Sequence, residues 1–130
     1  MADGSGLDEL VGERRRLLDE VLDKWSISVL MLLCDSPQRF SRLKRSLGGI
    51  TQKSLTLTLR RLERNGMVER IVISSSPVAV EYRITELGRS IESPLVAMSE
   101  WAVANLTAVD QARARYDARL DADGEGRGSR

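Results

Sequence analysis

The side chains best suited to chemistry in this chain are the basic ones between positions 39 and 70. Nine lysine and arginine residues lie there against two acids, which gives a local net charge of +7, whereas the whole chain carries +1. Ammonium and guanidinium groups donate charge-assisted hydrogen bonds to phosphate oxygens. A concentrated positive face on a nearly neutral molecule therefore predicts a polyanion as the partner. The nine are Arg39, Arg42, Lys44, Arg45, Lys53, Arg60, Arg61, Arg64 and Arg70.

The chain offers little for catalysis or for metal binding. It contains no histidine, which removes histidine-based acid–base chemistry, the Ser-His-Asp triad and most zinc sites. It also has no glycine-rich phosphate loop and no pair of carboxylates in an apolar setting. We therefore expect a protein that is not an enzyme, has no cofactor and holds no metal.

Length and hydropathy predict one domain that stays in solution. A chain of 130 residues, 42% of them hydrophobic, fits one domain with one core. The longest apolar run, 29–34, is far shorter than the ~18–20 residues of a membrane helix. The N-terminus lacks the basic start and apolar run of a secretory signal. We expect a cytoplasmic protein without a membrane partner.

The single cysteine, Cys34, cannot form an intramolecular disulfide. It ends an apolar run, so a buried and inert thiol is the favoured interpretation. The alternative is a redox or electrophile sensor whose modification would disturb the neighbouring region of Phe40.

Two helices joined by a tight turn are predicted to hold the basic stretch. Ser41 is a candidate N-cap for a first helix ending at Leu47, and Gly48-Gly49 then turns the chain. Thr51 caps a second helix, 51–65, which stops at Asn65-Gly66. This pattern predicts a helix-turn-helix.

Leucine spacing divides these helices into an inner and an outer face. Leu55, Leu59 and Leu62 recur at i, i+4 and i+7, so they are predicted to face the core. Leu43 and Leu47 do the same for the first helix. The outer face of the second helix is polar and consists of Gln52, Lys53, Thr56 and Arg60.

After Gly66 the spacing of apolar residues changes from that of a helix to that of a strand. Residues 68–73 and 78–85 are rich in β-branched residues, and Ser74-Ser75-Ser76-Pro77 between them is predicted to be the turn of a hairpin. A helix-turn-helix followed by a hairpin is a winged helix. The predicted fold class is thus mainly α with a small β-hairpin wing.

Further helices are predicted on both sides of this unit. Residues 7–22 have helical spacing, and the next helix, 23–34, is predicted to bury Ile27, Leu30, Met31 and Cys34. Thr85 caps a long helix whose apolar stripe exceeds what a small core could cover, and Pro94 is predicted to kink or locally loosen this helix. We predict one domain over 7–120, with disordered ends at 1–6 and 121–130.

Three motifs in order are similar to those of the HxlR-type winged helix-turn-helix regulators, relatives of the MarR regulators. The first is Asp23-Lys24-Trp25 before an apolar helix, and the second runs from Arg39-Phe40-Ser41 through Ile50-Thr51-Gln52-Lys53 and its leucines. The third is Val80-Glu81-Tyr82, followed by Ile84-Thr85-Glu86-Leu87-Gly88. The resemblance spans roughly 21–106.

This resemblance implies a bacterial, dimeric, DNA-binding regulator that dimerises through its N- and C-terminal helices. The residues then expected at the dimer interface are Leu10, Leu17, Leu18, Met98, Trp101 and Leu106. The chain departs from the family in lacking a cysteine before the first helix. It also has Val78 and Ala79 where the wing often carries an arginine, so charged wing contacts are not expected.

In a helix-turn-helix that binds in the major groove, some residues are expected to read bases and others to bind phosphate. Leu57 could contact a thymine methyl group or pack under a neighbouring helix or the wing, and packing is slightly favoured. Arg61 and Arg64 could contact phosphate or pair with Glu63 or Glu69. The base-reading candidates are Gln52, Lys53, Thr56, Leu57 and Arg60. The phosphate-binding candidates are Arg39, Ser41, Arg42, Lys44, Arg45, Ser74, Ser75 and Ser76.

We therefore predict a dimeric repressor that reads a pseudo-palindromic operator through helix 51–65, with double-stranded DNA and a second copy as partners. A small-molecule effector that the sequence does not identify is a further possible partner. The alternative is a winged-helix protein-interaction module without DNA specificity.

Overall fold

The computed structural model describes residues 4–128, apart from the side chains at positions 4, 5, 7, 10, 125, 127 and 128. The fold is mostly helical with one small antiparallel sheet, as predicted for a winged helix-turn-helix. The chain divides into two compact units between Glu92 and Ser93. The helices are α1 Gly4–Val21, α2 Lys24–Asp35, α3 Phe40–Ser46, α4 Gln52–Arg64, α5 Glu86–Arg89 and α6 Glu92–Gly128, and the strands are β1 Gln38–Arg39, β2 Val68–Ser75 and β3 Val78–Ile84.

The core of the first unit forms where α2 packs beneath the helix-turn-helix. Leu43 from α3 and the predicted leucines of α4 (Leu55, Leu59 and Leu62) are all fully buried. The predicted inner face of α2 is wrong by about one residue position. Its buried residues are Ser26, Val29, Leu30 and Leu33, whereas Ile27, Met31 and Cys34 are half-buried. Because α2 is apolar on nearly all sides, the spacing of its apolar residues does not indicate which side is buried. The small side chain of Ser26 permits close packing on the buried side.

The predicted caps differ in outcome. Thr51 caps α4, with its Oγ1 accepting a hydrogen bond from the Ser54 amide at 3.0 Å, and Gly66 ends the segment at φ +74°. Ser41 is not an N-cap, because α3 already begins at Phe40 and its cap residue, Arg39, makes no side-chain cap bond. The cause is a strand: Gln38 and Arg39 pair with β3, so the chain passes directly from strand into helix.

Thr51→Ala should lower the free energy of unfolding by about 1 kcal/mol, because the Ser54 amide loses its acceptor. Urea denaturation followed by circular dichroism measures this. The matched control is Ser41→Ala, which removes an exposed hydroxyl that caps nothing and should leave stability unchanged within about 0.5 kcal/mol. Equal losses in the two variants would contradict this assignment of the cap.

The sheet has the order β1-β3-β2, and β2 and β3 form the wing. Its turn is tighter than predicted: Ser74 and Ser75 belong to β2 and pair with Ala79 and Val78. The ladder shifts register between Val72 and Ser74, so the extra residue is absorbed within the strand rather than in a longer loop. The sequence did not predict β1. This strand is held by the buried side chain of Gln38, whose Nε2 donates a hydrogen bond to the Leu32 carbonyl at 3.2 Å.

The helix predicted after Thr85 is interrupted, and α6 starts afresh at Glu92. Pro94, predicted to kink or locally loosen this helix, lies in the first turn of α6, where an amide has no helical acceptor to lose. The helix is loosened one turn earlier, at Ser90 and Ile91, rather than kinked at the proline. Residues 4–6 and 121–128, predicted to be disordered, are helical here, while 1–3 and 129–130 lie outside the described residues. Within residues 4–128, no helix has the length and apolarity to cross a membrane.

Candidate nucleic-acid interface

The outer side of α4 presents one open depression of about 520 Å³, lined by the five side chains we call the reading face. The structure thus brings together every residue predicted to read bases. The face is held outward because Leu55, Leu59 and Leu62 bury the opposite side of the helix. The reading face consists of Gln52, Lys53, Thr56, Leu57 and Arg60.

Leu57 is the one apolar member of the reading face. Its side chain is 52% exposed, so the favoured prediction that it packs beneath a neighbouring element is wrong. It lies two residues from both Leu55 and Leu59, about 200° around the helix from them. That position turns it away from the core and leaves it among polar side chains.

A second exposed group, the phosphate face, lies on β1 and α3. Its members flank the buried Leu43, which fixes α3 with its basic side outward. In the described part of the chain, no ion pair within 4.0 Å involves the cations of this face, nor Lys53 or Arg60. These charges are therefore not neutralised by nearby carboxylates. The phosphate face consists of Arg39, Ser41, Arg42, Lys44 and Arg45, all exposed.

Arg61 is partly buried and belongs to neither face. Its Nη2 lies 3.8 Å from Asp23 Oδ2, and its Nε is buried without a hydrogen-bond partner. Of the two alternatives for Arg61, pairing with Glu63 or Glu69 is wrong, because its ion-pair partner is Asp23, the N-cap of α2. Immediately after α4, Asn65 Nδ2 donates to Glu20 Oε2 at 2.7 Å, which ties the end of α4 to α1.

The wing carries no charged residue between positions 71 and 80. Ser74, Ser75 and Ser76 are exposed, so the wing offers hydroxyl and backbone groups. Val72 and Val78 beside them are also exposed. The tip of the wing, positions 71–80, is thus placed to contribute neutral contacts only.

Cys34 is half-buried near the end of α2, and its carbonyl oxygen accepts a hydrogen bond from Arg89 Nη1 at 3.3 Å. Burial raises the pKa of its thiol, the Glu92 carboxylate raises that pKa further, and Arg89 opposes the shift. Since the thiolate is the reactive form, a raised pKa makes this cysteine less reactive at neutral pH.

Exposed apolar side chains lie on the helices predicted to dimerise. Leu17 and Leu18 on α1 are about half exposed and line an apolar groove of about 220 Å³ together with Met67 and Leu87. The Leu10 side chain lies outside the described residues. On α6, the exposed large apolar residues include Met98, Trp101 and Leu106.

A basic helix-turn-helix with an adjoining wing defines the class of winged helix-turn-helix transcriptional regulators, not a class of enzymes. Residues 20–110 match the model of the HxlR-like helix-turn-helix family. The chain belongs to this family.

Named relatives and solved structures agree with this assignment. A protein of Escherichia coli K12 named uncharacterized HTH-type transcriptional regulator YtfH is 35% identical over 95 residues, covering 73% of this chain and 75% of the relative. The structure of the transcriptional regulator YtfH from Salmonella typhimurium has a TM-score of 0.66 at 34% identity, over 77% of this chain and 89% of that one. The structure of the redox regulator HypR in its reduced form has a TM-score of 0.67 at 35% identity, over 76% of this chain and 98% of that one.

Proposed function

We propose that this chain is a sequence-specific DNA-binding repressor that acts as a homodimer on a pseudo-palindromic operator in the bacterial cytoplasm. The observation that carries the proposal is the reading face on the outer side of α4, together with the exposed cations of the preceding helix, α3, which make no ion pair in the described part of the chain. The names of the relatives, HTH-type transcriptional regulators, support it.

In this proposal the two faces divide affinity from specificity. Each phosphate bound by the phosphate face releases condensed counterions, with a salt slope of about −0.9 per contact on B-DNA. The first turns of α4 enter the major groove, where glutamine can bond adenine bidentately and lysine or arginine can reach guanine O6 and N7. The wing adds neutral contacts from Ser74, Ser75 and Ser76 to phosphate or sugar.

Dimerisation is supported by the exposed apolar side chains on α1 and α6, which include Leu17, Leu18 and Trp101. A two-fold dimer predicts two half-sites about one helical turn apart, ~34–36 Å, or a multiple of that distance. Occupancy of such an operator excludes other proteins from the same DNA, which is the simplest route to repression.

Gln52→Ala and Lys53→Ala should each relax base preference, by roughly 1–3 kcal/mol for a lost bidentate base contact. The measurement starts with sequences selected from genomic DNA and compares the affinity of each variant for the selected duplex and for point-mutated versions of it. The control is Arg45→Ala, from the phosphate face, which should weaken all duplexes alike. A changed base preference with an unchanged salt slope in the Arg45 variant would contradict the division of roles.

A second candidate, a protein-interaction module, is favoured by one observation: the exposed apolar residues Val72, Ile73 and Val78 on the uncharged tip of the wing. This candidate has no need of a local charge of +7 between positions 39 and 70. Binding to random duplex DNA at low salt separates the two, because only the DNA-binding protein should retain such DNA.

Regulation by a signal is the remaining part of the proposal. The apolar groove beside Leu17 and Leu18 is the place where a small apolar effector would be sought. For Cys34 we propose an inert role, because the pKa of its thiol is raised. Repeating the DNA-binding measurement with candidate metabolites and with diamide distinguishes an effector from a thiol switch.

A further inference from the structure

We propose that Leu57 reads the 5-methyl group of a thymine in each half-site of the operator. The inference rests on the proposed function and adds to it the identity of one base. It starts from the position of Leu57, which is half exposed and lines the reading face with four polar side chains.

Exposure alone does not support the assignment, since single exposed leucines are common on protein surfaces. The polar side chains that surround Leu57 support it. Leu57 shares its depression with Gln52, Lys53, Thr56 and Arg60, so α4 cannot present these polar groups to base edges without bringing Leu57 into the same groove. Its side chain therefore loses water wherever the reading face binds.

The major groove offers one apolar group that suits such a side chain. The base edges there present acceptors on guanine, a donor on cytosine, both on adenine, and an acceptor plus the C5 methyl group on thymine. A leucine placed over a donor or an acceptor would leave that group without a hydrogen bond, which is costly. Thymine is thus the base whose contact with Leu57 would increase affinity.

Helix geometry places this thymine relative to its neighbours. Lys53 is four residues before Leu57 and Arg60 three residues after it, which correspond to about 6 Å and about 4.5 Å along the helix axis. With base pairs about 3.4 Å apart, Lys53 and Arg60 each reach positions one or two base pairs from that of Leu57, on opposite sides of it. We expect a thymine with guanine within about two base pairs on either side, the guanines being read by Lys53 and Arg60.

The test uses the duplex that the protein selects from a randomised pool, with each thymine replaced in turn by deoxyuridine. This exchange removes only the methyl group and preserves base pairing. At one position per half-site, wild type should lose about fourfold in affinity, the value expected for one apolar carbon group returned to water. Leu57→Ala should bind the thymine duplex more weakly and show no difference between thymine and uracil, whereas Leu57→Met should keep the difference.

Leu22→Ala is the control, because Leu22 is an exposed leucine that belongs to neither the reading face nor the phosphate face and is not among the residues expected at the dimer interface. It should retain the full uracil effect. The assignment is overturned if selected half-sites lack a thymine near guanine, if no uracil exchange weakens wild type, or if Leu57→Ala retains the effect. Failure to prefer any selected duplex over random DNA would overturn the proposed function as well, so the two failures are distinguishable.

Discussion

Replacing Gly88 with alanine is expected to lower the free energy of unfolding by about 3 kcal/mol, the upper end of the usual cost of overpacking. A Cβ at this position would overlap the carbonyl oxygen of Met67 and lie 2.8 Å from Ile84 Cγ1. The backbone cannot easily yield, because the Thr85 amide donates to the Met67 carbonyl at 3.0 Å and the Gly88 amide donates to Thr85 Oγ1 at 3.0 Å. Urea denaturation followed by circular dichroism measures the loss.

Gly12→Ala is the matched control for this substitution. Gly12 lies inside α1, and a Cβ there would meet nothing within 4 Å. Alanine in a helix interior is favoured over glycine by about 0.5–1 kcal/mol, so this variant should gain stability. If Gly88→Ala were as stable as wild type, the close approach between the base of the wing and α5 would not constrain the fold.

Replacing Arg42, Lys44 and Arg45 together by glutamine is expected to reduce affinity for random duplex DNA by at least about 100-fold at low salt. The three side chains are exposed and, within residues 4–128, make no ion pair closer than 4.0 Å. The slope of log affinity against log salt should become shallower by about 0.9 per lost contact, or about 2.7 per protomer. Fluorescence anisotropy at several salt concentrations measures both quantities.

The control for this variant changes the net charge equally but elsewhere. Arg113, Arg115 and Arg119 are exposed on α6, and replacing all three by glutamine should leave the salt slope unchanged. Comparable losses in the two triple variants would mean that overall charge, rather than the phosphate face, determines binding. Stability should stay within about 0.5 kcal/mol in both, because the substitutions are at the surface.

The helix-turn-helix could be predicted from the sequence because its signals are local. Leu55, Leu59 and Leu62 repeat within one helix, and Thr51 and Gly66 act on backbone groups a few residues away. The strand β1 could not be predicted in this way. Two residues have no period, and its partners, Tyr82 and Glu81, lie more than forty positions along the chain.

The same distinction applies to the candidate site. Charge and helical spacing were sufficient to group Gln52, Lys53, Thr56 and Arg60, which the structure places around one depression. The orientation of Arg61 depends on Asp23 of another helix, and the exposure of Leu57 depends on no other element covering it. Neither fact is contained in the local pattern, which therefore left two alternatives open for each of these residues.

The hydrogen bond between Asn65 and Glu20 makes α4 comparable to a rod clamped at its far end. The 13 residues of α4 span about 20 Å, so a rotation of about 10° at the clamp shifts the opposite end by about 3.4 Å. That displacement equals the rise of one base pair. If α4 binds DNA as proposed, a small change in the direction of α1 that was transmitted through this hydrogen bond would move Gln52 and Lys53 by a distance comparable to one base-pair step, without any contact between α1 and the bases.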